Sequence, residues 1–273
     1  MRLSISNIAW DIVEDETIRN LLYEFHVDAI DIVPGKYFPN PEKATDKEIN
    51  KVKNWWSSNG IEIVGMQALL FGKAEMNVFG TKESRLEMLK YLKAICHIGS
   101  VIGAKRIVFG SPKNRDCTGL NELETKKIAT DFFQRLGDIA ESAGVIICLE
   151  PCPASYGGNF MKTSAETAKM ITIIRHPAIK MQLDSGAISI NNEDPFEILL
   201  KYAELIGHVH ASEPNLVPLG DGTTNHKNFF KALTKYLPNS LVSIEMVATQ
   251  KESHLTSIKR ALLIANKIYK SES

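Results

Sequence analysis

A chain of 273 residues with 44% hydrophobic content is long enough to bury one sizeable core, and 32 Lys plus Arg set against 32 Asp plus Glu leave it without net charge. A neutral chain has no global field for tracking a nucleic-acid backbone, which excludes nucleic acid as a principal partner and makes any anion recognition local. No apolar stretch reaches the ~18 residues of a membrane span, and MRLSISNIAW at the start lacks the longer apolar region of a secretory signal, so the expectation is a cytoplasmic protein with no membrane partner.

In chain order, LSISNIAW opens as a strand candidate and is followed by Ile18, Leu21, Leu22 and Phe25 at helical spacing. VDAIDIV comes next, and Thr45 with Glu48 forms a capping-box pattern at the start of another helix. IEIVGMQ and AKRIVFG supply the third and fourth strands, and Ile128, Phe132, Leu136 and Ile139 mark the helix after the fourth. GVIICLE leads to a second box at Thr163 and Glu166; IKMQLD leads to Asp194, with Pro195 at the first helical position and Glu197 at the third. LIGHVHA and LVSIEM complete eight strand candidates. Near-continuous apolar strands joined by helices predict a parallel sheet covered on both sides, and eight such units predict an α/β fold of the (β/α)8 TIM-barrel kind, a single domain over residues 1–273 with no linker or repeat. The four cysteines, Cys96, Cys117, Cys148 and Cys152, make no disulfide framework and read as reduced packing thiols.

In such a barrel the side chains at the carboxyl ends of the strands converge on one mouth. The fifth run ends on Glu150, the sixth on Asp184, the seventh near His210 and the eighth near Glu245. One charged residue at a strand end is ordinarily a cap or an ion-pair partner. Four on consecutive strands would set three carboxylates against one another, and a single divalent ion is what holds them ionised and close. Three oxygen donors and one nitrogen suit Mn²⁺ best and also admit Mg²⁺, Co²⁺, Fe²⁺ or Zn²⁺. His208 lies deeper on the same face and reads as a supporting or packing residue. The stretch Gly110-Ser111-Pro112-Lys113-Asn114-Arg115 after the fourth strand makes Ser111, Lys113 and Arg115 candidate contacts to a substrate phosphate or carboxylate, and Gly35-Lys36 and Gly72-Lys73 add cations at the same mouth. Gln67 and Glu213 are candidate partners for substrate hydroxyls, as are Asn7 and Trp10.

The segments LEP at 149–151, LDSG at 183–186, HVHASE at 208–213 and IEM at 244–246 together resemble the xylose-isomerase-like TIM barrels over nearly the whole chain. Within them, HVHASEPN at 208–215 and the Gly220-Asp221-Gly222 turn are similar to the sugar isomerase and epimerase branch typified by D-tagatose 3-epimerase. The resemblance implies a Mn²⁺-type ion on Glu150, Asp184, His210 and Glu245, with Glu150 and Glu245 also acting as the catalytic pair that exchanges protons at adjacent carbons. Three positions depart from that branch: Ala187 stands where it often has a His, Leu216 where it has an Arg, and Tyr156 where it has a further acid, which makes Tyr156 a candidate substrate contact. These departures point away from a free ketohexose toward another sugar or a modified one, anionic if the loop cations engage it.

The expected function is therefore a metal-dependent sugar or sugar-phosphate isomerase or epimerase working through an enediolate, with homo-oligomer formation compatible with the sequence. Dehydratase or lyase chemistry on a cyclic polyol or keto acid is the rival enzyme, and a sugar-binding barrel without catalysis is the rival outside enzymology. The endonuclease branch of the same fold needs additional histidines, where this chain has Gln67, Gly110 and Ala187.

Overall fold

Eight apolar, β-branched runs form eight parallel strands: β1 (Arg2–Ser6), β2 (Ala29–Ile32), β3 (Glu62–Met66), β4 (Arg106–Phe109), β5 (Ile146–Leu149), β6 (Ile179–Asp184), β7 (Ile206–Ser212) and β8 (Leu241–Glu245). They close into a barrel in chain order, with β8 paired back onto β1 from Arg2↔Leu241 to Ile5↔Ile244. This computed structural model describes residues 1–270. Each strand is followed by an outer helix: α1 (Asp15–Glu24), α2 (Asp46–Ser58), α3 (Lys82–Ile102), α4 (Glu122–Ser142), α5 (Ser164–Ile174), α6 (Pro195–Tyr202), α7 (His226–Tyr236) and α8 (His254–Tyr269). The expected (β/α)8 barrel is the observed one.

The helices begin where local chemistry starts them. Thr45 Oγ1 accepts from Glu48 N at 3.3 Å and Glu48 Oε2 accepts from Thr45 N at 2.8 Å, so both halves of the expected box are made on α2. At α5 only half is made as expected: Thr163 caps Glu166 N at 3.1 Å, but the Glu166 carboxylate reaches one residue further back, to Lys162 N at 2.8 Å. Asp194 caps Phe196 N at 2.9 Å with Pro195 at the first position of α6. Strand β1 is shorter than the run LSISNIAW, because the Ser6 side chain accepts from Ile8 N at 3.3 Å and caps a 3-10 turn over Asn7–Ala9.

Between strands and helices lies the main core. Phe132 and Phe133 of α4 are fully buried, with the Phe133 ring edge-on to Phe109 of β4 at 5.5 Å between centroids. Inside the barrel the filling is unusually polar for a fold whose interior is ordinarily branched and apolar. Asp31 of β2 and His208 of β7 meet at 2.7 Å although β1 and β8 separate their strands, so both side chains point inward. Registers Asp184↔His210 and Ser212↔Glu245 then set the polar strand ends at one mouth. Among the described residues no helix is long and apolar enough to cross a membrane.

Phe133→Ala is expected to destabilise the protein by about 3–5 kcal/mol through loss of buried contacts and the cavity left behind. By the same measure, the urea midpoint, Leu123→Ala at a 76%-exposed site shifts stability by less than about 0.5 kcal/mol.

Candidate metal centre

Glu150 is carried one residue past β5, its amide donating to Phe109 O at 3.1 Å. Its carboxylate lies over Gly110, where a Cβ would come within 2.1 Å of Oε2, so the glycine supplies the space the side chain occupies. Asp184 ends β6 and caps the short helix Ser185–Ile190, with Oδ1 accepting from Ala187 N and Oδ2 from Ser212 Oγ, both at 2.6 Å. These donors fix the carboxylate and leave it lone pairs toward the mouth. His210, wholly buried, turns Nδ1 to Glu245 Oε2 at 3.3 Å and to Glu150 Oε1 at 3.8 Å. Glu245 closes the group from the end of β8.

One ligand atom from each of Glu150, Asp184, His210 and Glu245 lies within 4.8 Å of the others. A single divalent ion with metal–ligand distances of about 2.0–2.3 Å spans that separation, since opposed ligands then stand about 4–4.6 Å apart. Glu150 Oε1 and His210 Nδ1 are buried without a hydrogen-bond partner, which an ion between them would satisfy. Burial and the neighbouring Glu245 and Asp184 charges push the Glu150 carboxyl up to about 8; burial and Glu245 push Asp184 up to about 6. Burial works against charge on His210, but the Glu245, Asp31 and Glu150 carboxylates outweigh it and raise its affinity for a proton. Left to themselves, these acids hold protons that a cation would replace.

A cavity of about 210 Å³ opens onto Glu150 and Glu245. Gln67 and Ser111 reach it as polar groups, while Ile8, Leu70, Phe71 and Leu216 make much of its wall apolar. Gln67 is 2% exposed with both amide atoms unpartnered, free to engage a ligand hydroxyl. Leu216 enters the wall with φ 52°, a conformation rare for a branched residue, and its carbonyl accepts from Val247 N at 2.9 Å, tying the loops after β7 and β8 together.

The other sequence candidates are placed elsewhere. Arg115 is 1% exposed and donates to Glu150 O at 2.7 Å and Gly110 O at 2.9 Å, so its fork braces the backbone beneath Glu150 instead of facing substrate. Lys113 is exposed on the outer turn and does not line the cavity. Glu213 is buried, accepting from Gly220 N and Thr224 N at 2.9 Å each and meeting His226 Nε2 at 3.1 Å, and it organises the Gly220-Asp221-Gly222 loop. Those contacts overcome burial and bring its carboxyl down to about 2. Tyr156 accepts from Asn215 N at 2.5 Å and bridges two mouth loops. Lys36 donates to Asn7 O and Trp10 O, Asn7 Oδ1 accepts from Val33 N, Trp10 Nε1 donates to Asp15, and Lys73 lies over the Tyr91 ring. These groups hold loops in place.

Asp31 carries no signal of its own in the sequence. It lies in an apolar strand run, and its two imidazole neighbours come from the far side of the barrel. Burial alone would raise its carboxyl, but His208 and His210 hold it well below the ordinary carboxylate range. On the outer surface His254 Nδ1 lies 2.6 Å from Glu14 Oε2 beside Asp11.

A closed parallel barrel with four ligand-type side chains converging at its carboxyl-terminal mouth, close enough together to hold a cation and beside a cavity, defines the class of protein as a β/α barrel with its functional groups gathered at that mouth. Residues 21–265 match the family described as Xylose isomerase-like TIM barrel, and the chain belongs to that family. The ketose 3-epimerase of Arthrobacter globiformis is 29% identical over 99 residues, 36% of this chain and 34% of that protein. An inosose dehydratase of Clostridium beijerinckii is 31% identical over 93 residues, 34% of this chain and 30% of that protein. The matched stretches thus span about a third of these curated relatives, 34% and 30% of their lengths. In three dimensions, D-psicose 3-epimerase from Clostridium cellulolyticum H10 superposes with TM-score 0.82 at 17% identity, covering 98% of this chain and 99% of that one. The IOLI protein with a bound zinc atom superposes with TM-score 0.75 at 17% identity, covering 99% and 98%.

Because the raised carboxyls of Glu150 and Asp184 and the raised His210 retain protons at lower pH and shed them as pH rises, cation binding is expected to release protons. Apparent Mn²⁺ affinity is expected to climb between about pH 6 and about pH 8, the range of the two shifted carboxyls, and calorimetric heats at neutral pH are expected to vary with buffer ionisation enthalpy. A flat affinity with no buffer dependence would contradict the site.

Proposed function

We propose that this protein is a divalent-metal-dependent isomerase or epimerase of a sugar or sugar derivative, with Glu150 and Glu245 as its proton-transfer pair. The observation that carries the reading is that both glutamates belong to the ligand cluster and also line a cavity that opens onto it. An ion held there, Mn²⁺ on the grounds of three carboxylates and one imidazole, supplies Lewis acidity that acidifies the C–H bond beside a substrate carbonyl.

The remaining work falls to side chains. Glu150 and Glu245 come from strands separated by β6 and β7, so they approach a bound ring or chain from different positions. One takes a proton from carbon and the other returns one, which inverts a centre or moves a carbonyl through an enediolate. Gln67 and Ser111 orient hydroxyls, and the apolar wall of Ile8, Leu70, Phe71 and Leu216 excludes water from the reacting face.

A second enzyme reading has its own support: an inosose dehydratase is 31% identical over 93 residues, as near in sequence as the ketose 3-epimerase at 29% over 99. In that reading the same proton abstraction is followed by loss of the neighbouring hydroxyl as water. The two share a first step and differ in product.

The test incubates metal-loaded protein with sugars, sugar phosphates and cyclic ketopolyols in D₂O and reads products by mass spectrometry. An isomerase or epimerase returns product of unchanged formula carrying deuterium, a dehydratase returns product lighter by one water, and a binding protein returns neither. Glu150→Gln and Glu245→Gln are each expected to cut turnover by about 10²–10⁴-fold, the worth of a positioned acid or base. Under epimerase chemistry, at least one variant still takes deuterium into substrate without forming product. Full turnover by either variant would show that its glutamate is a ligand only.

A further inference from the structure

We propose that Asp31 is a positioning residue for the metal centre, fixing the ring and tautomer of His210 so that Nδ1 presents its lone pair to the ion. This inference rests on the metal reading above.

Asp31 is wholly buried in the middle of β2, a strand whose other residues are apolar, and among the described residues no lysine or arginine pairs with it. Burying a carboxylate is costly, and an aliphatic side chain would serve packing better, so its partners are what give it a purpose. Oδ2 lies 2.7 Å from His208 Nε2 and, across an electrostatic contact longer than a hydrogen bond, 3.5 Å from His210 Nε2, while Oδ1 and His210 Nε2 have no hydrogen-bond partner among the described residues. His208 and His210 alternate along β7 and stand together, ring centroids 5.1 Å apart.

The two nitrogens of His210 face opposite kinds of surroundings. Nδ1 looks to Glu245 and Glu150 in the mouth; Nε2 looks down the barrel toward Asp31. A neutral imidazole carries one N–H and one lone pair, and a carboxylate offers only acceptors. Asp31 therefore favours the hydrogen on Nε2 and leaves Nδ1 free to ligate. His208, on the same oxygen, keeps the carboxylate from swinging away.

Gly65 indicates that this arrangement is built in. It is Asp31's register partner on β3, and its backbone is not in the left-handed region that favours glycine. A Cβ there would come within 2.5 Å of Asp31 Oδ1 and 2.8 Å of Cγ. A glycine inside a strand weakens it and often marks a close approach; here the approaching group is the Asp31 carboxylate.

The test is metal binding, read without turnover. Asp31→Asn keeps the shape but can offer an N–H to Nε2, and it is expected to raise the Mn²⁺ dissociation constant by about 10- to 100-fold with an unchanged circular dichroism spectrum. Nitrogen-resolved NMR of the Mg²⁺- or Zn²⁺-loaded wild type is expected to show His210 protonated at Nε2 and unprotonated at Nδ1; this arm stands even if the variant fails to fold. Binding by Asp31→Asn that matches wild type, or a His210 that ligates through Nε2, overturns the proposal while leaving the metal reading intact. A wild type that binds no divalent ion, and a His210→Ala variant indistinguishable from it, overturn both.

Discussion

Three carboxylates gathered with one imidazole at the mouth of a barrel repel one another, and that repulsion is the constraint around which the carboxyl-terminal face is arranged. Two of the acids are held by groups that cannot easily give. Gly110 leaves a hollow for Glu150 while Arg115 clamps the carbonyls of both residues from beneath. Ser212 and the Ala187 amide hold Asp184. The loops above are tied in turn: Glu213 gathers the Gly220 turn, and Tyr156 and Leu216 link neighbouring loops across the mouth. Polar groups that a free-standing barrel would not need are thus spent on holding like charges together, an arrangement a cation makes favourable.

Much of this was legible in the sequence, for a physical reason. Parallel strands covered on both faces are apolar throughout, so an acid or histidine closing such a run stands out, as Glu150, Asp184, His210 and Glu245 do. What the sequence left hidden depends on closure and on side-chain direction. Asp31 meets His208 only because β2 and β7 face one another across the finished barrel, a relation that strand periodicity does not contain. Arg115 and Glu213 looked like substrate contacts because they flank the site in sequence, yet both turn inward onto backbone groups. Lys36 does the same with the carbonyls of Asn7 and Trp10. Loop charges near a mouth are commonly consumed in this way, and only coordinates separate those that brace a loop from those that face a ligand.

The cavity sharpens the choice among chemistries that one barrel can host. Its reacting end is acidic and cation-seeking, and its outer wall includes Leu70, Phe71 and Leu216. Arg115 and Lys36, two of the cations near the mouth, are engaged with carbonyl groups and do not line the cavity.

In the proposed function one ion sits among Glu150, Asp184, His210 and Glu245, whose ligand atoms lie within 4.8 Å of one another. Anomalous diffraction from crystals grown with Mn²⁺ measures it directly. The account predicts a single strong peak within about 2.0–2.4 Å of one oxygen from each acid and of His210 Nδ1. A peak confined to the outer Asp11, Glu14 and His254 group, or a mouth in which the acids stay protonated and empty at saturating Mn²⁺, would contradict it.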